Sequence, residues 1–244
     1  MRLILIIIFI VGKSNFSCAQ AKAVLISQEE FKEALQGIGK FYNETESYRF
    51  NVYYASYKGH ESVTPFEESN GYILKSGNKF YAEMLGVKTI QSDKYMVTIQ
   101  PDGNQLIINN AQTSFNNGYN MDDLTKGLSK TTKIEKTILG NSTSYFIYYK
   151  EPSPTSYTEI AINKMGFIEK ISIYYSKKID WENDEGKIIS SKPKLEINYS
   201  NFQKNMTIPS KEFDLSKYIE ISQTEVKPSV HYKDYEFIDL RIKN

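Results

Sequence analysis

His60 and His231 are the only two imidazoles in 244 residues, and Cys18 is the only thiol. A zinc site of the usual His/Cys kind takes about four ligands, which this inventory cannot supply. His60 follows Lys58-Gly59, and His231 sits in a polar stretch near the C-terminus, so both read as solvated loop residues. No G-x-S-x-G elbow is present to present a nucleophilic serine. Asp180-Trp181-Glu182-Asn183-Asp184-Glu185-Gly186 is acidic and ends in glycine, like a calcium loop. It lacks the D-x-[DN]-x-[DN]-G register and the later glutamate that such a loop needs, and it reads as a hairpin tip. Asp122 and Asp123 suit a helix N-terminus, Glu67-Glu68 an edge that resists pairing, and Gly37-Ile38-Gly39 falls inside a helix without the glycine and lysine of a phosphate loop. These side chains point to a non-enzyme without a cofactor or metal.

What remains to be positioned is apolar. The start, MRLILIIIFIVGKSNFSCAQ, has one basic residue, an apolar run from Leu3 to Val11 and then small residues. The run is far short of the roughly 20 residues that span a bilayer and suits a secretory leader, with cleavage after Ala19. Cys18 follows Asn15-Phe16-Ser17, where a lipidation site would have an aliphatic residue three places back, so removal with residues 1–19 is expected in place of a lipid anchor. Loss of Arg2 and Lys13 leaves 28 basic against 29 acidic residues, so no field of one sign exists to hold nucleic acid. Residues 20–244 show no long linker or compositional break and are expected to form one domain.

Ser27-Gln28-Glu29-Glu30 is a capping box, with Glu30 expected to reach back, and Phe31, Leu35, Ile38 and Phe41 or Tyr42 then share a helical face. From Tyr48 onward the period changes to two. Tyr72-Ile73-Leu74 and Phe80-Tyr81-Ala82 flank Ser76-Gly77-Asn78 as a hairpin, and Tyr95–Ile99 turns through Pro101-Asp102-Gly103-Asn104 into Leu106–Ile108. Asn120–Lys130 reads as a short helix. Strands resume at 145–149, 159–162, 168–175 and 194–199, with a last one at 235–242. Such close spacing predicts an antiparallel meander. Nineteen Tyr and thirteen Phe leave several strands aromatic on both faces. One face can lie under the helices. The other must close on itself, meet a partner or hold an apolar ligand.

A leader, an amphipathic helix and then a meander resemble the LolA/LolB-like family of outer-membrane lipoprotein carriers, and in particular the periplasmic LolA-like proteins of the Bacteroidetes. The resemblance rests on Gly71–Lys75 with Lys79-Phe80-Tyr81, on Ile90–Tyr95, and on Lys192–Phe202 followed by Phe213-Asp214 and Lys217-Tyr218-Ile219. It implies an α+β fold, mainly antiparallel: an incomplete half β-barrel wrapped around the N-terminal helix, with short lid helices over an apolar concave surface. It also implies lipid or lipoprotein acyl chains as ligands, held in the periplasm. Phe50, Val52, Tyr54, Tyr72, Leu74, Phe80 and Met84 are the expected cavity lining. The chain departs from the carriers at Tyr81, where they have a latching arginine, and at Lys94, where their turn has glycine. The alternative is an accessory subunit of an envelope or secretion complex that docks a protein partner, with the 235–242 strand pairing to another chain.

Overall fold

The computed structural model describes residues 22–112, 127–183, 185–222 and 225–241. The expected leader, Cys18, and most of the expected 120–130 helix lie outside them. One α-helix, α1 (Gln28–Glu44), follows a short strand, β1 (Val24–Ile26). Ser27 caps α1 by accepting a hydrogen bond from the Glu30 N–H at 3.0 Å. The Glu30 carboxylate, expected to reach back to Ser27, instead pairs with Lys136 on the sheet at 3.3 Å. At the other end Lys75 donates to the carbonyls of Tyr42 and Thr45, each at 3.0 Å. Those carbonyls carry the negative end of the helix dipole and have no partner within the helix. Phe31, Leu35, Ile38 and Tyr42 form the buried face, as their spacing predicts.

The strands after α1 are β2 (Ser47–Tyr57), β3 (Glu67–Ser76), β4 (Lys79–Met84), β5 (Val87–Gln91), β6 (Tyr95–Gln100) and β7 (Gln105–Asn110). A second run comprises β8 (Thr131–Leu139), β9 (Ser142–Tyr149), β10 (Thr155–Asn163), β11 (Ile168–Tyr175), the hairpin β12 (Ile179–Glu182) and β13 (Ile188–Ser191), and β14 (Lys194–Lys204). Short strands β15 (Ile219–Ile221), β16 (Val226–Pro228) and β17 (Glu236–Asp239) end the chain. Thirteen strands form one open sheet in the order β1-β8-β9-β10-β11-β14-β2-β3-β4-β5-β6-β7-β17. All neighbours are antiparallel except β17, which lies parallel to β7. The fold is thus the expected mainly antiparallel one, with a helix near its N-terminus and a sheet that does not close. The tail strand pairs within its own chain.

Each face of this sheet has its own hydrophobic cluster. On the first face α1 packs on Ile134, Ile147, Ile160, Ile171, Tyr199, Phe50, Ile73 and Phe80, one from each of eight neighbouring strands. A helix of 17 residues is about 25 Å long, so a sheet must curl to bring that many strands to it. Phe50 is the centre, with rings of Tyr42, Tyr48, Phe167, Tyr199 and Phe202 at 5.6–6.4 Å. The second cluster lies on the opposite face of β3–β7. Leu74, Tyr81, Ile90, Val97, Ile99, Leu106 and Ile108 are covered there by Phe213, Leu215, Ile219 and Val226 of the C-terminal segment. The second aromatic face of β3–β7 is therefore neither closed on itself nor left for a partner or ligand: the chain's own tail covers it. The tail does so with 3-10 turns at Ser210–Phe213, Leu215–Lys217 and Val230–Tyr232, on the side of the sheet away from α1.

Burial of so many phenols sets an alkaline limit. Burial raises the pKa of Tyr42 and Tyr48 well above the tyrosine range. Burial, then the nearby Glu196 charge, pushes Tyr57 up to about 12, and burial with donation to Glu135 pushes Tyr148 up to about 12. A raised phenol pKa means that the stabilisation is complete below the unfolded value of about 10 and is lost as pH rises from there through the folded value. We expect circular dichroism to show cooperative unfolding above about pH 10, with phenolate absorbance appearing in the same transition. Phenolate appearing smoothly while the sheet signal persists would contradict this.

Candidate binding cleft

The register of β2 on β3 decides where the seven expected lining residues go. Phe50 pairs with Ile73 and Val52 with Gly71, so even positions of β2 share a face with odd positions of β3. Phe50, Val52 and Phe80 consequently lie buried in the α1 cluster, and Met84 packs at its margin. Tyr72 and Leu74 lie on the opposite face, in the cluster under the tail. Tyr81 also lies there, stacked on Tyr72 at 5.0 Å and donating to Glu83 at 2.6 Å. Of the seven, Tyr54 lines an apolar cleft, and Phe80 borders a separate, more polar pocket with Lys75, Asn78, Lys79 and Gln91 at the C-terminal end of α1.

The apolar cleft lies on the α1 face, at the end of the strands beyond the helix, and has a volume of about 410 Å³. Its floor is Tyr54 and Ser56 of β2 with Leu195 of β14 and Tyr175 of β11. Leu195 pairs with Ser56 and with Ile173, so these residues continue the face on which α1 rests. Ile173 and Ile197, half-buried between cleft and helix, join the floor to the α1 cluster. One wall is the β12–β13 hairpin, which contributes Ile179 and Trp181. Phe66, from the segment before β3, meets the Trp181 ring at 5.0 Å. Backbone bonds hold the rim: the Tyr175 N–H donates to the Pro193 carbonyl at 3.1 Å and the Ser176 N–H to the Pro154 carbonyl at 3.0 Å.

Polar groups in the cleft are few. Ser56 Oγ donates to the Tyr54 hydroxyl at 3.2 Å. Burial, and then the neighbouring Tyr54, raise the Tyr175 phenol above its ordinary pKa. The Trp181 indole N–H is buried without a hydrogen-bond partner among the described residues. An apolar concavity within the ~300–1,000 Å³ range, with a small number of polar groups, is the usual form of a small-molecule site. Volume gives its scale: at about 30 Å³ each, the share of a water molecule, it has room for about a dozen methylene-sized groups.

The other sequence candidates are not brought together. His60 is half-buried, not a solvated loop residue: its Nε2–H donates to the Tyr175 carbonyl at 3.0 Å, and its ring meets Tyr174 edge-on at 5.1 Å. His231 is exposed in a 3-10 turn. Glu67 and Glu68 lie in the stretch of β3 that extends beyond β4, and Glu68 accepts from Tyr53. Asp180 and Glu182 lie in β12, and Asn183, Glu185 and Gly186 belong to its turn into β13. Among the described residues no three His, Cys, Asp or Glu side chains stand close enough to hold a metal ion. Sequence reasoning missed Phe66, Tyr175, Trp181 and Leu195. The available signal was a lone tryptophan, with isoleucines about it, in a hairpin otherwise read as charged.

No family model matches the chain, and no curated protein matches it in sequence. Among solved structures, an uncharacterized conserved protein from Thermus thermophilus is similar at 13% identity and a TM-score of 0.43, with 86% of this chain and 99% of that one covered. A LolA superfamily protein from Nitrosomonas europaea is similar at 13% identity and a TM-score of 0.30, covering 75% of this chain and 96% of that one. The Mycobacterium tuberculosis lipoprotein LppX is similar at 11% identity and a TM-score of 0.33, covering 75% and 99%. These likenesses are distant and say nothing of what this chain binds.

Proposed function

We propose that the protein is a non-catalytic binder of acyl chains, from lipid or lipoprotein, working in the periplasm after loss of its leader. The observation that carries this reading is the cleft: an apolar concavity at the uncovered end of the helix-bearing face, while the far face of β3–β7 is already occupied by the tail. Burial of a dozen methylenes supplies about 10 kcal/mol at ~0.8 kcal/mol each, before the cost of fixing the ligand. No charged or catalytic group is needed for that. Export is supported by the basic, apolar and small-residue order of residues 1–19.

The chain's one tryptophan stands in the cleft wall, so its emission reports occupancy directly. Titration with dodecanol is expected to shift Trp181 emission to shorter wavelength and to saturate, with a dissociation constant on the order of 10 μM. Ser56→Phe puts a ring on the cleft floor at the cost of the half-buried Ser56–Tyr54 hydrogen bond, and is expected to weaken binding at least tenfold with only a small change in melting temperature. Absence of a saturable shift in the wild type, or unchanged affinity in a folded Ser56→Phe protein, would remove the basis of this reading.

A further inference from the structure

Resting on that reading, we infer that the mouth of the cleft selects single-chain amphiphiles with an anionic head, a carboxylate or phosphate monoester. The cleft is lined by three lysines, Lys177, Lys178 and Lys194, and by no carboxylate. Lys194 is committed elsewhere: its Nζ lies 2.9 Å from Glu196 and 4.3 Å from the centre of the Tyr57 ring. Lys177 and Lys178 are exposed, and neither pairs with a carboxylate among the described residues. Some lysines elsewhere are matched, as Lys187 is by Glu185 at 2.8 Å and Lys133 by Glu135 at 2.8 Å; what sets Lys177 and Lys178 apart is their place on an apolar cleft whose lining holds no carboxylate.

The hairpin's own acids do not cancel this charge, because successive side chains of a strand leave opposite faces. In β12, Ile179 and Trp181 face the cleft, which sends Asp180 and Glu182 to the other side. The pleat thus sorts β12: apolar residues at the mouth, beside two lysines that pair with no carboxylate among the described residues, and Asp180 and Glu182 behind. An apolar tail in the cleft leaves its polar end beside these lysines. Neither lysine offers the planar fork of an arginine, so the mouth reads charge and not the geometry of one particular anion.

The test is a titration of the whole mature chain, by Trp181 emission at low salt, with dodecanoate, dodecyl phosphate and dodecanol. The two anions are expected to bind about tenfold tighter than the alcohol, with the gap closing as salt is added. The double substitution Lys177→Gln with Lys178→Gln is expected to abolish that gap while dodecanol still binds saturably. Preference for either anion that depends on the lysines supports the inference. Equal affinity for alcohol and anions, or a gap that survives the double substitution, overturns it while the acyl-chain reading stands. No saturable binding of any of the three overturns the acyl-chain reading itself, and this inference with it.

Discussion

A chain ended after Thr207 is expected to fail to fold, and to be recovered as aggregate. The deleted tail carries Phe213, Leu215, Ile219 and Val226, which cover Leu74, Tyr81, Ile90, Val97, Ile99, Leu106 and Ile108. The last seven are at most 6% exposed in the intact protein. Burial of each large apolar side chain contributes about 1.5–3 kcal/mol. Exposing seven of them and discarding four more exceeds the ~5–15 kcal/mol by which a folded domain of ordinary size is stable. The same cut removes β17 and bares the β7 edge for pairing with other chains. Size-exclusion chromatography and circular dichroism of the truncated chain check this. A monomer with the full sheet signal would mean that the tail is an ornament and not half of a core.

Gly71→Ala is expected to destabilise the protein by about 3–5 kcal/mol, a cost reached only by a few mechanisms. A Cβ on Gly71 would stand 1.8 Å from the Glu83 carbonyl oxygen and 2.8 Å from its carbon, both backbone atoms. No side-chain rotation relieves such a contact. Either β3 or β4 must move, at the point where β3 runs on past the end of its pairing with β4. Glycine here is required by the close approach of a second backbone, since its own dihedral angles are not in the left-handed region. Gly37→Ala is the control. Gly37 is exposed within α1 with nothing within 4 Å of the added carbon, and alanine there is expected to stabilise by roughly 0.5–1 kcal/mol. Denaturant melts of both variants decide the matter. Equal midpoints would refute the crowding at Gly71.

Local signals carried most of the fold. Ser27 caps α1, the four apolar positions of the helix are buried, and the hairpins turn at Gly77, Asn104 and Gly166 as composition predicts. These features depend on neighbours in sequence, so they can be read there. The sides of the strands could not be. Tyr72 and Leu74 alternate with Ile73 just as well in either register, and the long connection from Tyr57 to Glu67 does not fix one. Only the packing of Ile73 against α1 selects it. The tail was equally opaque, because short 3-10 turns have neither the period of a helix nor that of a strand. The cleft draws Tyr54, Phe66, Tyr175, Trp181 and Leu195 from five separate segments, and no spacing along the chain announces their meeting.

The sheet order also governs when this protein can come into being. Its two meanders meet where β14 lies on β2, near the middle of the sheet, and Ser47 donates to the carbonyl of Met206 across 159 residues. That junction is the last of the large pairings the chain can make, since β2 can take β3 on one edge early but must wait for β14 on the other. Loop closure over such a span is entropically costly, and rates fall as pairings become more distant in sequence. Until β14 is made, β2 is paired on one edge only, with β3, and the two meanders remain separate. The thirteen-stranded sheet is completed across its middle only once residue 204 has been made. Topology alone thus holds the two halves of the sheet apart until most of the chain exists.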